Sequence, residues 1–166
     1  MTQDFVEAAR ESEPVAVITE ATYMSGASVS NEVEVQSKLN SFISQANGVV
    51  LVEFGYSDID RLNSFYQIAE KNDRCLVVSL RQAYLLDALR KDKGLAVPDL
   101  DDPHIRVFRK SKHQYEKWEL SLMERYEGES KIFDVFEASK QQCKIVLALS
   151  FRDFEELIAL KPEAGC

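Results

Sequence analysis

Short apolar runs alternate along this chain with longer segments whose apolar residues recur every three or four positions. Unbroken runs of four to six apolar residues predict strands buried on both faces, as in a parallel sheet. Five are expected at Val15 to Thr19, Val49 to Phe54, Cys75 to Val78, Ile105 to Phe108 and Ile145 to Leu149, with a sixth at Leu157 to Leu160. Between them lie amphipathic stripes of helical period. Val35, Leu39, Phe42, Ile43 and Ala46 form one, and Ile59, Leu62, Phe65, Tyr66 and Ala69 form the next. Further helices are expected over Thr2 to Ser12, Gln114 to Tyr126 and Ile132 to Gln141. In the Gln114 to Tyr126 helix, the spacing of Trp118 with Tyr115 and Leu122 favours the indole as a core residue over a ligand platform.

Helix starts are marked by short polar residues three positions ahead of an acid or amide, the spacing of a capping box. Asn31 with Glu34, Ser57 with Asp60, Ser79 with Gln82 and Ser150 with Asp153 have it. Polar connections fall around Gly26 and over Gly94 to Pro103. The resulting fold class is α/β: a Rossmann-like three-layer domain with a mostly parallel sheet of about five strands.

Composition narrows this reading. The chain has 166 residues, 45% of them apolar, which suits one domain with a full core. There is no long apolar span and no basic, apolar leader at the N-terminus, so a soluble cytoplasmic protein without a membrane partner is expected. Three widely spaced cysteines, Cys75, Cys143 and Cys166, predict reduced thiols, the first two inside apolar strand-like runs.

The net charge of −8 argues against a general nucleic-acid-coating surface. One segment differs: residues 104–117 hold five Lys or Arg and both histidines against a single Glu. A run of this kind is most simply a solvated edge or loop.

In an open parallel sheet, ligands bind where strands end and helices begin, because helix N-termini bring unpaired N–H groups there. That edge would gather Glu20, Thr22, Ser57 to Arg61, Ser79, Arg81 and Ser150 to Arg152. Hydroxyls and guanidinium groups on one rim suit a phosphate or a sugar-phosphate backbone. Each serine is also sufficient as a helix cap, and Arg61 as an ion-pair partner of Asp58 or Glu53. His104 and His113 are the only histidines, and the chain has no H-x-H, no H-E-x-x-H and no cysteine pair at zinc spacing. The serine-hydrolase elbow, the P-loop and the dinucleotide-binding glycine motif are also missing. No self-sufficient active site emerges.

Phe54 to Arg61 (FGYSDIDR), followed by a helix and then Asp73 to Arg81 (DRCLVVSLR), resembles the start of the β-CASP domain in RNA-processing nucleases of the metallo-β-lactamase superfamily, RNase J and its relatives. In that family one strand ends in Ser-Asn-(apolar)-x-Arg, and a second follows Gly-Arg and ends in Gly-Arg-Ser. Ser57, Ile59 and Arg61 match the first motif; Arg74 and Arg81 match the arginines of the second. Ile18 to Tyr23 (ITEATY) looks like the strand preceding the insert, and Ile158 to Cys166 like the return to the hydrolase domain. Asp58 stands where the family usually has Asn, and Leu80 and Gln82 replace Gly and Ser around Arg81.

The resemblance implies a single β-CASP-like domain over residues 1–166, with 1–14 and 157–166 as junctions to a metallo-β-lactamase-fold domain of the same parent chain. It implies substrate contacts by Ser57, Asp58, Arg61, Ser79 and Arg81, single-stranded RNA as substrate, and no catalytic or metal-binding residue in this chain. Zinc would belong to the parent protein and its ligands would lie outside this segment, which alone would be inactive and would self-associate weakly through an exposed apolar face. The alternative is a stand-alone α/β binding module for a small anionic ligand or a protein partner.

Overall fold

Burial on both faces is what the strand-like runs require, and the sheet provides it for its interior strands, while Leu51 of the first, edge strand stays exposed. The computed structural model describes residues 7–8, 10–12, 32–126, 130–150 and 152–163. The chain divides into two compact units, Met1–Asn31 and Glu32–Cys166. In the first, residues 7, 8, 10 and 11 are helical. The predicted strand at Val15 to Thr19, and with it Glu20, Thr22 and the Asn31 cap, lies outside the described residues.

The second unit runs α1 (Glu32–Gln45), β1 (Val50–Val52), α2 (Ile59–Lys71), β2 (Cys75–Ser79), α3 (Leu80–Leu89), β3 (Ile105–Phe108), α4 (Lys117–Arg125), β4 (Ile132–Phe133), α5 (Val135–Lys140), a 3-10 turn at Gln142–Lys144, β5 (Ile145–Ala148) and α6 (Phe154–Leu160). The five strands form one parallel sheet in the order β1-β5-β2-β3-β4. The α/β class and the parallel sheet are therefore as expected. Val50, Val146, Leu76 and Ile105 lie side by side in one row across four strands. Leu51, Leu147, Val77 and Arg106 make the next, facing the opposite way.

These two rows feed two cores. On one face, Ile43 of α1, Leu62, Phe65, Ile68 and Ala69 of α2, Ala83 and Leu86 of α3 and Leu122 of α4 pack on Leu76, Val78, Ile105, Val107 and Val146. On the other, Ala138 of α5 and Leu160 of α6 pack on Val77, Phe108, Phe133, Ile145 and Leu147. The division follows from handedness. Crossovers between parallel strands are right-handed, so successive steps from β1 to β4 carry their helices over one face. The return from β4 to β5 reverses direction and must cross the other.

Several expectations change. Leu157 to Leu160 is part of α6 and not a sixth strand, with Leu160 only 1% exposed. The helix expected from Ile132 begins instead with the two-residue strand β4, which joins the sheet beside β3. Phe42 is 73% exposed and leaves the apolar stripe of α1, whose core contacts come from Leu39 and Ile43. Cys143 sits exposed in the 3-10 turn, whereas Cys75 is half-buried at the start of β2.

The caps also shift where a carboxylate competes. Ser79 caps α3 in a complete capping box: the Gln82 N–H donates to its Oγ at 3.3 Å, and its own N–H donates to Gln82 Oε1 at 2.9 Å. Ser57, by contrast, falls inside a turn closed by the Asp58 N–H on the Gly55 carbonyl, and Asp58 caps α2 by accepting from the Arg61 N–H at 3.0 Å. Asp153, not Ser150, is the capping residue of α6.

Asp134 caps α5, accepting from the Phe136 and Glu137 N–H groups at 3.0 Å each and pairing with Arg109 at 3.1 Å. The Glu137 N–H first, and then the Arg109 guanidinium, hold its carboxyl below the ordinary carboxylate range. A depressed folded value means that this stabilisation is present above the unfolded value and disappears as pH falls through the folded one. Asp134→Ala should therefore lose about 1 kcal/mol at neutral pH. The gap from the parent, read by urea unfolding, should close in strong acid.

Candidate functional site: a cleft at the carboxyl ends of the strands

The strand order creates a place where chain connections diverge. From β5 the chain leaves over the face covered by α5 and α6, whereas from its neighbours β1 and β2 it leaves over the face of α2 and α3. Diverging connections open a crevice outside the carboxyl ends, the usual ligand position in such sheets. A cleft of about 800 Å³ lies there. Val52 to Tyr56 line it after β1, Ala148 to Ser150 with Arg152 and Asp153 after β5, and Ser79 to Gln82 after β2. The far wall follows β3, with Lys110, Lys112, Glu116, Trp118 and Glu119.

Of the rim residues expected from sequence, Ser79, Arg81, Ser150 and Arg152 line this cleft. Ser57, Asp58 and Arg61 continue directly from its lining at Tyr56 but do not line it. Asp58 is held as the α2 cap, which turns its carboxylate to the helix end. The two groups are nonetheless neighbours, because the Arg81 guanidinium lies 5.0 Å from the centre of the Tyr56 ring, one residue before Ser57.

The charges in the cleft are of two kinds. Lys110 pairs with Asp153 at 2.6 Å, and Lys112 holds both carboxylate oxygens of Glu119, at 2.6 and 2.5 Å. Arg81 and Arg152 are exposed and have no carboxylate partner among the described residues. An anion entering the cleft thus meets two lysines already neutralised and two guanidinium groups with their donors available. The N-terminus of α3 adds its positive dipole end beside Ser79.

Arg152 belonged to the expected rim, whereas Lys110, Lys112 and Trp118 enter the site unannounced. The two lysines follow β3 as Arg81 follows β2, so the strand-end rule applied to the basic segment would have found them. Three others of that segment are structural: Arg109 pairs with Asp134, Arg106 donates to the Pro103 carbonyl at 2.7 Å, and His104 Nδ1 lies 3.0 Å from the Arg74 carbonyl. Trp118 packs against the first core, as its spacing predicts, and also forms cleft wall.

Arg74 is at the opposite end of the sheet. Its guanidinium is buried, donating to the carbonyls of Gly48 at 2.8 Å, Ile145 at 3.3 Å and Ala46. It anchors the sheet at the amino ends of its strands, far along β2 from Ser79.

Among the described residues, no three His, Cys, Asp or Glu side chains come together as a metal site. The zinc implied by the family resemblance therefore has no donor set in them. No helix among them is long and apolar enough to cross a membrane. Comparison with protein-family models, curated proteins and solved structures finds no match to this chain.

Proposed function

We propose that this chain is a β-CASP-like substrate cap that positions single-stranded RNA for a zinc-dependent phosphodiesterase of metallo-β-lactamase fold carried by the same parent chain. The observation that carries the reading is the pair of guanidinium groups, Arg81 and Arg152, that line one cleft at the diverging strand ends and have no carboxylate partner among the described residues. A planar fork of donors matches a phosphodiester, and strand-end N–H groups add to it without a specific base. The chain's own residues bind and orient. The metal chemistry lies with the hydrolase domain, and no step of it runs through the residues described. Resemblance at Phe54 to Arg61 and Asp73 to Arg81 supports the family, and the parallel sheet is compatible with it.

The mixed lining, with Glu53, Glu116 and Asp153 among the cations, favours a second reading: a free-standing module for a small anionic ligand. The two separate on length and salt. If RNA is the occupant, a labelled uridylate oligomer should bind more tightly as it lengthens. Its affinity should also fall with rising salt with a logarithmic slope of about −1.4, the release expected for two phosphates of a single strand. Saturation by uridine monophosphate with no gain from longer oligomers would overturn the RNA reading in favour of the small anion.

A further inference from the structure

On the lip of the cleft, aromatic rings alternate with positive charge. Tyr56, 54% exposed in the turn that follows β1, lies under the Arg81 guanidinium. Arg81 and Tyr84 are three residues apart on α3 and so share its surface. Tyr84, 53% exposed, lies 5.1 Å from the Trp118 ring at a tilt of 55°, and Trp118 reaches the cleft from α4. The series Tyr56, Arg81, Tyr84, Trp118 thus runs from the first strand end to the far wall.

Two of the carboxylates beside this series are neutralised. Asp87, one turn beyond Tyr84, is neutralised by Arg125 at 2.7 Å and Arg90 at 3.1 Å. Glu119, one residue beyond Trp118, is held by Lys112. Two rings left half in water beside a guanidinium with available donors fit a polyanion that also carries flat rings. Single-stranded nucleic acid is that occupant: phosphates take the guanidinium groups while bases stack on tyrosine and tryptophan. A proline-rich peptide would use the rings but leave the charges unmatched.

We infer that Tyr56, Tyr84 and Trp118 form a base-stacking strip beside the phosphate-binding cleft, so that the bases of the bound strand contribute to its affinity along with its backbone. This rests on the RNA reading above.

Trp118 is the chain's single tryptophan and reports on the strip directly. The full chain is titrated with a uridylate oligomer and with an abasic ribose-phosphate oligomer of equal length. The base-bearing strand should quench Trp118 fluorescence and bind roughly tenfold more tightly, within the range of one base–aromatic stack. Tyr84→Ala should lose about that factor on the uridylate strand and nothing on the abasic one, while Tyr84→Phe retains it. Unchanged thermal melts establish that both variants fold. A deoxythymidylate oligomer that quenches equally supports the same strip and makes it indifferent to the sugar. Equal binding of the base-bearing and abasic strands, untouched by Tyr84→Ala, would remove the strip and leave the RNA reading standing. No binding of any oligomer, with quenching by a proline-rich peptide, would overturn both.

Discussion

Replacing Arg74 with alanine should lower the stability of the domain by about 3 kcal/mol, since several charge-assisted hydrogen bonds are lost and buried carbonyls lose their donors. The Arg74 side chain joins three segments that are distant in sequence. It donates to Ala46 and Gly48 ahead of β1 and to Ile145 at the start of β5, from its own place at the start of β2. The amino ends of three adjacent strands are thereby held in register. With the residue only 6% exposed, water has little access to replace it. Thermal melting should move down by roughly 10 °C. Arg74→Lys should recover only part, because a single ammonium cannot spread its donors over three separate carbonyl acceptors as the guanidinium does. A loss below about 0.5 kcal/mol in urea unfolding, the scale of an ordinary surface substitution, would show that the carbonyls find other partners.

If the proposed RNA-binding role holds, removing both available cations of the cleft, Arg81→Ala with Arg152→Ala, should weaken oligomer binding at least a hundredfold. A hydrogen bond to a charged group contributes roughly 1.5 to 3 kcal/mol, and two guanidinium groups are lost. Both are exposed, so unfolding by urea should be unchanged. Arg109→Ala is the matched control. That guanidinium is held by Asp134 outside the cleft, and its loss should leave binding as it was. If the double variant binds as the parent does, the cleft is not where the phosphates lie.

The sheet's interior strands were legible because they are buried on both faces. Cys75–Ser79, Ile105–Phe108 and Ile145–Ala148 must be nearly continuous in apolar residues to lie between two helical layers, and they are. The same rule misleads at Leu157 to Leu160, because a four-residue apolar run has no period and one turn of buried helix looks identical. Ile132–Phe133 is too short to carry any pattern; its strand state comes from pairing with β3. The capping serine of α3 was readable because Gln82 closes the box locally, while Ser57 yields to Asp58, whose carboxylate accepts from the helix N–H, and α6 begins at Asp153, whose carboxylate accepts instead from the Ser150 N–H.

The candidate site divides along the same line. That Ser79 and Arg81 stand at a strand end follows from local sequence alone, since burial pattern and cap lie within a few residues. That Arg152 joins them depends on β5 inserting between β1 and β2, a long-range choice made by the crossover from β4. That Lys110 and Lys112 are neutralised while Arg81 and Arg152 are not depends on Asp153 and Glu119 arriving from other elements. The chain's own pattern of apolar and capping residues thus determined the class of fold and the chemistry offered at each strand end, because burial and capping act over a few neighbouring residues. Only the tertiary structure decided which strand ends meet and which charges remain available, because strand order and ion pairing are settled between residues far apart in the chain.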